Sequence, residues 1–184
     1  MISGERKGYR LSASKGSTIR PTEDRVKESF FNIISPIKRN SIVLDLFAGT
    51  GAIGIEFLSR GAKFAYFIDK NRDSISVINR NLEHTKYNEK SKVITGDSSV
   101  VLHRLSVSGA KFDYIYIDPP FSDEEILYKV ISIIDGNELL NDDGLLIAEH
   151  DEKIAINDQY SSFELFDKRK YGNKVMTYFK RRGV

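Results

Sequence analysis

Four consecutive residues, Asp118-Pro119-Pro120-Phe121, could together grip a flat ring that carries an amino group. Such a group has two N–H donors, which the Asp118 carboxylate and the Pro119 carbonyl can both accept. Pro120 restricts the preceding residue to extended conformations, and neither proline has an N–H that would compete for these acceptors. Phe121 adds a face on which a base can stack. A strand-end turn built on the two prolines explains the same residues without a function.

A second candidate site follows an apolar run and reads Asp45-Leu46-Phe47-Ala48-Gly49-Thr50-Gly51-Ala52-Ile53-Gly54. Glycine permits positive φ and lets the main chain approach a ligand closely. The spacing matches a dinucleotide fingerprint, and Asp69 stands near its expected acidic position. Asp45 favours another ligand, because a carboxylate there repels a pyrophosphate and attracts an ammonium or sulfonium. S-adenosylmethionine carries both cations, and its ribose hydroxyls suit Asp69, for which a helix N-cap is the alternative.

A further acid, Asp97, follows the next apolar run, within Val93-Ile94-Thr95-Gly96-Asp97-Ser98. Its carboxylate could accept the amino group of adenine, while a neighbouring main-chain N–H serves a ring nitrogen. Asp97 can also cap the helix that follows, and the two roles are compatible. Because the carboxyl ends of parallel strands line one crevice, Asp45, Asp69, Asp97 and Asp118 are expected to converge.

The elements that must position these acids alternate between strands and helices. Short apolar, β-branched runs predict strands, and apolar residues at helical spacing predict helices. The predicted strands cover residues 42–46, 64–68, 92–95, 112–117 and 145–148, and the predicted helices cover residues 53–60, 74–84, 99–105 and 124–134. This alternation predicts a parallel sheet with helices on both faces.

The two ends of the chain depart from that alternation. Residues 162–166 and 175–181 predict two strands without a helix between them, hence an antiparallel hairpin at one sheet edge. Before the first strand, Thr22 is expected to cap a helix that turns Phe30 towards the core. The sequence therefore predicts an α/β, Rossmann-like fold with a seven-stranded, mostly parallel sheet. We expect one domain, with a basic extension and helix in residues 1–40 and the core in residues 41–184.

Composition narrows the class of protein. The length of 184 residues suits one domain, and 40% hydrophobic with 29% charged residues is ordinary for a globular protein. The absence of cysteine excludes a disulfide framework and a cysteine metal site, and fits a cytoplasmic protein. The N-terminus does not resemble a signal peptide, and the longest apolar run is far shorter than a membrane span. We expect neither a metal nor membrane contact.

Charge is distributed unevenly although the net charge is only +2. Residues 1–27 carry +4 and residues 168–184 carry +7, which leaves −9 between them. Basic ends around an acidic body favour nucleic acid as a partner, although solvated surface charge is the alternative. The candidate RNA-binding residues are Arg6, Lys7, Arg10, Arg20, Arg25, Lys168, Arg169, Lys170, Lys174, Arg181 and Arg182.

Taken together, the glycine turn, the acids after two further strands and the D-P-P-F segment resemble class I S-adenosylmethionine-dependent amino-methyltransferases. The segment Arg20-Pro21-Thr22-Glu23-Asp24-Arg25-Val26-Lys27-Glu28 and the core at residues 47–54 resemble the RsmD family. The likeness runs from about Gly8 to Arg181. It implies methylation of guanine N2 in bacterial 16S ribosomal RNA, with S-adenosylhomocysteine as product. It further implies a cytoplasmic monomer whose partner is ribosomal RNA within a small-subunit particle.

The resemblance also assigns residues to two sites. It assigns binding of the target base to Asp118, Pro119, Pro120 and Phe121. It assigns binding of the cofactor to Asp45, Phe47, Gly49, Gly51, Asp69, Lys70, Asp97 and Ser98. Glu149 receives no chemical role and is expected to support the site.

Two alternatives stay open. The first is the same fold acting on another amino group, either adenine N6 or a glutamine side chain. Glutamine enzymes usually have Asn where Asp118 stands, and a chain without an added target-recognition domain disfavours sequence-specific DNA methylation. The second is a non-catalytic RNA-binding assembly protein. The tetrapeptide reads an amino group and does not itself distinguish guanine from adenine.

Overall fold

A computed structural model describes residues 1–13, 21–120, 123–157 and 159–182, with the main chain alone at residues 21–25. The helices are α1 (Pro21–Ile33), α2 (Ala52–Ser59), α3 (Arg72–Thr85), α4 (Ser98–Val107) and α5 (Glu124–Gly136), with a short 3-10 helix at Asn88–Lys90. The strands are β1 (Ile42–Leu46), β2 (Phe64–Asp69), β3 (Ser91–Thr95), β4 (Phe112–Ile117), β5 (Leu140–Asp151), β6 (Phe163–Tyr171) and β7 (Lys174–Arg181). The chain divides into two compact units, Met1–Thr95 and Gly96–Val184.

The strands form the seven-stranded mixed sheet that the sequence predicts. In the first unit, β2 pairs in parallel with both β1 and β3. In the second unit, β4 and β5 are parallel, while β7 runs antiparallel to both β5 and β6. Every residue of β4 is buried, as expected for a strand covered on both faces. The Rossmann-like fold class with an antiparallel C-terminal hairpin is thus confirmed.

Aromatic packing and a buried carboxylate hold the first unit together. The ring of Phe57 on α2 lies 4.9 Å from that of Phe31 on α1, and both side chains are buried. The fully buried carboxylate of Glu56 accepts hydrogen bonds from the main-chain N–H groups of Ile2 and Ser3, at 3.0 and 2.9 Å. These bonds fix the start of the chain on α2.

The bounds of three elements differ from the sequence predictions for physical reasons. Helix α1 begins at Pro21, so Thr22 lies inside it and the predicted cap is wrong; proline suits the first helical position because its fixed φ is already helical. Strand β5 extends back to Leu140 through polar residues, beside a register irregularity in its pairing with β4. Strand β6 extends to Tyr171, because an outer strand exposes side chains and tolerates charge. No helix in the described part is long and apolar enough to cross a membrane.

Candidate cofactor and base sites

The glycine turn between β1 and α2 has an unusual main chain. Gly49 and Gly51 have φ of 56° and 75°, in the left-handed region that glycine tolerates. Phe47 also has a positive φ of 62°, which is strained for a bulky residue. The N–H of Ala48 donates to the carbonyl of Ile68 at 3.0 Å and so ties the turn to β2. Strain of this kind, held by neighbouring structure, occurs often at ligand sites.

Asp45 has a structural partner that the sequence did not indicate. Its carboxylate is buried, and Oδ2 accepts a hydrogen bond from the N–H of Gly54 at 2.9 Å. A Cβ on Gly54 would lie 2.3 Å from Cε1 of Phe67, so only glycine allows α2 to lie this close. Asp45 therefore fixes the start of α2, and its contact with a ligand stays a prediction.

Asp69 lies half-buried at the end of β2 and holds the same turn from the other side. Its Oδ2 accepts from the N–H of Gly49 at 2.9 Å, and its Oδ1 accepts from the N–H of Asn71 at 2.8 Å. The N-cap of α3 is Asn71, whose side chain accepts from the N–H of Asp73. The capping alternative for Asp69 is therefore wrong. Lys70, the next residue, is exposed.

Asn81 supports the turn and was missed at the sequence level. This fully buried side chain donates to the carbonyl of Thr50 at 2.9 Å and accepts from the N–H of Ser12 at 2.7 Å. It therefore joins the N-terminal segment to the glycine turn. The available signal was an amide next to Leu82, on the apolar face of an otherwise regular amphipathic helix.

In the second unit, Asp97 is the N-cap of α4. Its Oδ1 accepts from the N–H groups of Ser99 and Val100 at 3.0 and 3.3 Å, which confirms the capping role. Ser98 is buried, and among the described residues its hydroxyl has no hydrogen-bond partner. A buried hydroxyl without a partner suits a site where a ligand would complete the hydrogen bonding. Contact of Asp97 or Ser98 with adenine stays a prediction.

The candidate base site follows β4 directly. Asp118 is half-buried, Pro119 is buried and Pro120 is exposed. The carbonyl of Pro120 accepts from the N–H of Asp123 at 2.9 Å, and Asp123 in turn caps α5. This hydrogen bond lies between the end of the tetrapeptide's prolines and the capped helix α5, and the alternative of a turn built on the two prolines stays a prediction. Phe121 lies outside the described residues.

Next to this strand end, Glu149 has two side-chain partners. Its Oε2 accepts from the Tyr116 hydroxyl at 2.7 Å, and its Oε1 forms an ion pair with the Lys174 ammonium group. Tyr116 and Glu149 are both buried. These partners lie on three strands, β4, β5 and β7, so the network ties together the ends of strands that no local motif connects. Tyr116 stands two residues before Asp118.

Several basic residues that the sequence predicts to contact RNA form hydrogen bonds or ion pairs within the protein. The guanidinium of Arg6 donates to the Thr85 carbonyl at 2.9 Å. Arg181 is only 12% exposed at its side chain and pairs with Glu138 at 3.2 Å. Lys174 pairs with Glu149, as described above. The side chains of these three residues therefore stabilise the fold.

Other basic residues are presented to solvent. Lys7, Arg10 and Lys168 are exposed. Arg169 and Lys170 are exposed but pair with Asp167 and Glu152, while Arg182 donates to the Phe163 carbonyl at 3.3 Å. Arg20 lies outside the described residues, and the Arg25 side chain does too. Among the residues that are described, no cluster of His, Asp and Glu could hold a metal ion.

The model of one protein family, described as "Conserved hypothetical protein 95", matches residues 1–180. The chain belongs to this family. It is 35% identical over 183 residues to "Putative rRNA methyltransferase YlbH" of Bacillus subtilis, covering 100% of this chain and 99% of that protein. It is 28% identical over 181 residues to "Ribosomal RNA small subunit methyltransferase D" of Escherichia coli strain K12, covering 98% of this chain and 89% of that protein.

A solved structure gives the same result for the fold. The structure described as "Putative methyltransferase yhhF from Escherichia coli" superposes with a TM-score of 0.85 at 27% identity, covering 100% of this chain and 98% of that one. The predicted resemblance to the RsmD family is thereby confirmed.

Proposed function

We propose that the protein transfers a methyl group from S-adenosylmethionine to the exocyclic N2 of a guanine in small-subunit ribosomal RNA. The observation that carries the proposal is Asp118-Pro119-Pro120 directly after the fully buried β4, in a chain whose relatives are named as ribosomal RNA methyltransferases. A carboxylate and a fixed carbonyl at this position match the two N–H donors of an amino group.

The residues of the glycine turn fit the cofactor. Asp45 supplies negative charge for the cationic methionine part, and Asp69 supplies oxygens for the ribose hydroxyls. Among the residues that the structure describes, a Cβ on Gly49 would meet one atom within 4 Å, the Phe47 carbonyl oxygen at 3.9 Å, so these residues leave room for a ligand at the main chain there. The unpartnered Ser98 hydroxyl, beside Asp97, suits the adenine part. The cofactor supplies a methyl group that its sulfonium already activates.

The protein activates the nucleophile. The N2 lone pair of guanine is delocalised into the ring, and acceptors at Asp118 and Pro119 favour a more tetrahedral nitrogen with an available lone pair. As positive charge develops on N2, the Asp118 carboxylate stabilises it, and the proton leaves to solvent afterwards. Pro119 is buried and held by the proline that follows, so its carbonyl needs little reorganisation.

The target base must be unpaired to reach these acceptors. This requirement favours a loop of RNA with the guanine splayed out. Exposed cations such as Lys7, Arg10 and Lys168 would bind the phosphates around it. The relative from Escherichia coli is named for the small subunit, so we propose ribosomal RNA within that particle as the substrate.

The test uses small-subunit particles from cells that lack the protein. Purified protein and isotope-labelled S-adenosylmethionine are added. The ribosomal RNA nucleosides are then separated by chromatography and identified by mass spectrometry. We expect label in N2-methylguanine, and none with an Asp118→Ala variant. Label in N6-methyladenine would move the reaction to the adenine alternative, which shares the same tetrapeptide. Cofactor binding without transfer to either base would favour a non-catalytic assembly protein.

A further inference from the structure

The outer hairpin of the second unit, formed by β6 and β7, displays an aromatic side chain beside a run of cations. Phe166 is 53% exposed and Leu165 is 41% exposed, although both stand within a strand. Three cations follow at Lys168, Arg169 and Lys170, and all three are exposed. The proposed function counts Lys168 among the phosphate contacts but gives Phe166 no role.

A β-bulge places Phe166 outside the regular pairing of β6 with β7. Leu165 pairs with Phe179 and Asp167 pairs with Tyr178, so Phe166 is an extra residue with none opposite it on β7. A bulge re-aims side chains and is common near functional sites at sheet edges. An exposed Phe on an outer strand also invites aggregation unless charge surrounds it. The cations therefore both hinder aggregation at this edge and favour an anionic partner.

The charge of the hairpin fits a polyanion. Residues 163–182 contain seven Lys or Arg and two Asp or Glu, for a net charge of +5. Arg169 pairs with Asp167 at 2.9 Å, with its side chain 57% exposed, and Lys170 pairs with Glu152, with its side chain 63% exposed. Surface pairs of this kind contribute little, so phosphates can replace the carboxylates.

The hairpin also lies at the correct edge of the sheet. Strand β6 is antiparallel to β7, which is antiparallel to β5, and β5 is parallel to β4. The end of β6 therefore lies at the same edge as Asp118, which follows β4. Three strand spacings separate β4 from β6, a distance of about 14 Å. An RNA strand whose target base reaches Asp118 can extend a few nucleotides to the hairpin.

We propose that the β6–β7 hairpin is a docking surface for single-stranded RNA, in which Phe166 stacks against a base and Lys168 and Lys170 bind the adjacent phosphates. This inference rests on the proposed function and adds a second contact region for the same RNA. An aromatic face and cations along an extended strand are the features that bind unpaired nucleotides.

Binding of a short fluorescent single-stranded RNA to the full-length protein, measured by anisotropy, tests the proposal. We expect Phe166→Ala to weaken binding about 5- to 150-fold, the range for loss of one stacked base, and Phe166→Tyr to bind like the wild type. Phe166→Leu should lose most of the affinity, because leucine is apolar but cannot stack. Val107→Ala is the matched control, since Val107 is 90% exposed on α4 of the same unit.

The phosphate contacts have their own measurement. Combined Lys168→Gln and Lys170→Gln should lower the slope of log affinity against log salt concentration by about 1.4, or about 0.7 for each lost phosphate contact. An unchanged slope would overturn the role of these lysines.

Three other outcomes would overturn the stacking role of Phe166. Equal RNA binding by the wild type, Phe166→Ala and Phe166→Leu would show that Phe166 does not contribute to binding. Loss with alanine but not with leucine would indicate a plain apolar contact. Unchanged binding of naked RNA, together with reduced methylation of particles, would indicate a ribosomal protein on this surface. Because binding is measured without turnover, wild-type protein that binds RNA but transfers no methyl group would refute only the proposed function.

Discussion

The acids of the glycine turn in the first unit and Glu149 in the second unit are held in different ways. In the turn, Asp45 and Asp69 accept hydrogen bonds from main-chain N–H groups of Gly54 and Gly49. At the strand ends, Glu149 is held by two side chains, Tyr116 and Lys174. Main-chain donors are present whatever the side chain, whereas side-chain donors must each be supplied by a particular residue. The turn should therefore depend on its glycines, and the position of Glu149 on the individual side chains of Tyr116 and Lys174.

The largest expected effect separates the two regions by function. Asp118→Ala should lower the rate of methyl transfer by about 10²- to 10³-fold, as for loss of one group that stabilises transition-state charge. Its affinity for S-adenosylmethionine should stay unchanged. Asp45→Asn should instead weaken cofactor binding and leave the transfer rate at saturating cofactor unchanged. The amide oxygen can still accept from Gly54, while the negative charge that we propose attracts the cofactor is lost. We expect a loss of about 10- to 150-fold in cofactor affinity.

Calorimetric titration with cofactor and single-turnover rates at saturating cofactor separate these two effects. Thermal unfolding of both variants checks that they remain folded. If Asp118→Ala lost cofactor binding instead, the division of roles between the two regions would be wrong.

The second prediction concerns the dependence of the turn on glycine. Gly54→Ala places a methyl group 2.3 Å from the Phe67 ring, so the core must shift, and we expect a loss of about 1–3 kcal/mol in the free energy of unfolding. Gly136→Ala, at the end of α5, is the control, because a Cβ there meets nothing within 4 Å. It should be neutral or stabilising, since alanine favours the helix. Urea denaturation measures both, and equal effects would contradict close packing at Gly54.

The third prediction compares two tyrosine hydroxyls, one buried and one on the surface. Tyr116 donates to Glu149 at 2.7 Å inside the second unit, and Tyr128 donates to Glu124 at the same distance on the surface. Tyr116→Phe leaves a buried carboxylate oxygen without that donor and should cost about 1–3 kcal/mol of stability. Tyr128→Phe should cost less than about 1 kcal/mol, because water replaces the lost donor.

The rate of methyl transfer shows whether Tyr116→Phe affects the candidate base site as well as overall stability. Tyr116 precedes Asp118 by two residues, so Tyr116→Phe should also slow the transfer step by about tenfold, as for about 1.4 kcal/mol, while cofactor affinity is retained. Lys174→Met should weaken both stability and transfer, since it removes the other partner of Glu149, and Lys174→Arg should restore part of each. Equal stability losses for Tyr116→Phe and Tyr128→Phe would show that burial adds nothing to this hydrogen bond.

The same comparison shows how far sequence can predict such sites. The glycine turn was recognised because Asp45, Gly49 and Gly51 lie close together in the chain and β-α turns impose their spacing. The partners of Glu149 lie 33 and 25 residues away, on strands whose pairing the sequence does not fix, so no local pattern indicates them. The bulge at Phe166 was missed for the same reason, because register is a property of two strands and not of one.

Local features also limited the accuracy of predicted bounds. Strand β6 was predicted to stop at residue 166, yet it continues through charged residues to Tyr171 as the outer partner of β7. In β6 the exposed, charged residues carry no hydrophobic pattern, so the pattern underestimates the length of this edge strand. The largely buried strands β1 and β4 were predicted at the bounds that the structure shows.

The smallest expected effect is a pH dependence within the second unit. Both ring nitrogens of His150 are engaged, with the Asp151 carbonyl oxygen at 2.8 Å and the Thr177 hydroxyl at 2.9 Å. Burial lowers the pKa of His150 below its ordinary value of 6.5, and the nearby Lys168 contributes in the same direction, while Asp151 and Glu149 oppose it. The folded protein therefore binds this proton less readily than the unfolded chain does.

A lowered histidine pKa makes stability rise with pH, because the unfolded state binds more protons. The contribution of His150 is complete above about pH 6.5 and is lost as the pH falls through the folded-state pKa. The difference in unfolding free energy between the wild type and His150→Gln should therefore shrink on acidification, as urea denaturation at several pH values can measure. A difference that grew towards acid pH would mean that the folded state favours the charged imidazole, and that Asp151 and Glu149 outweigh burial at this site.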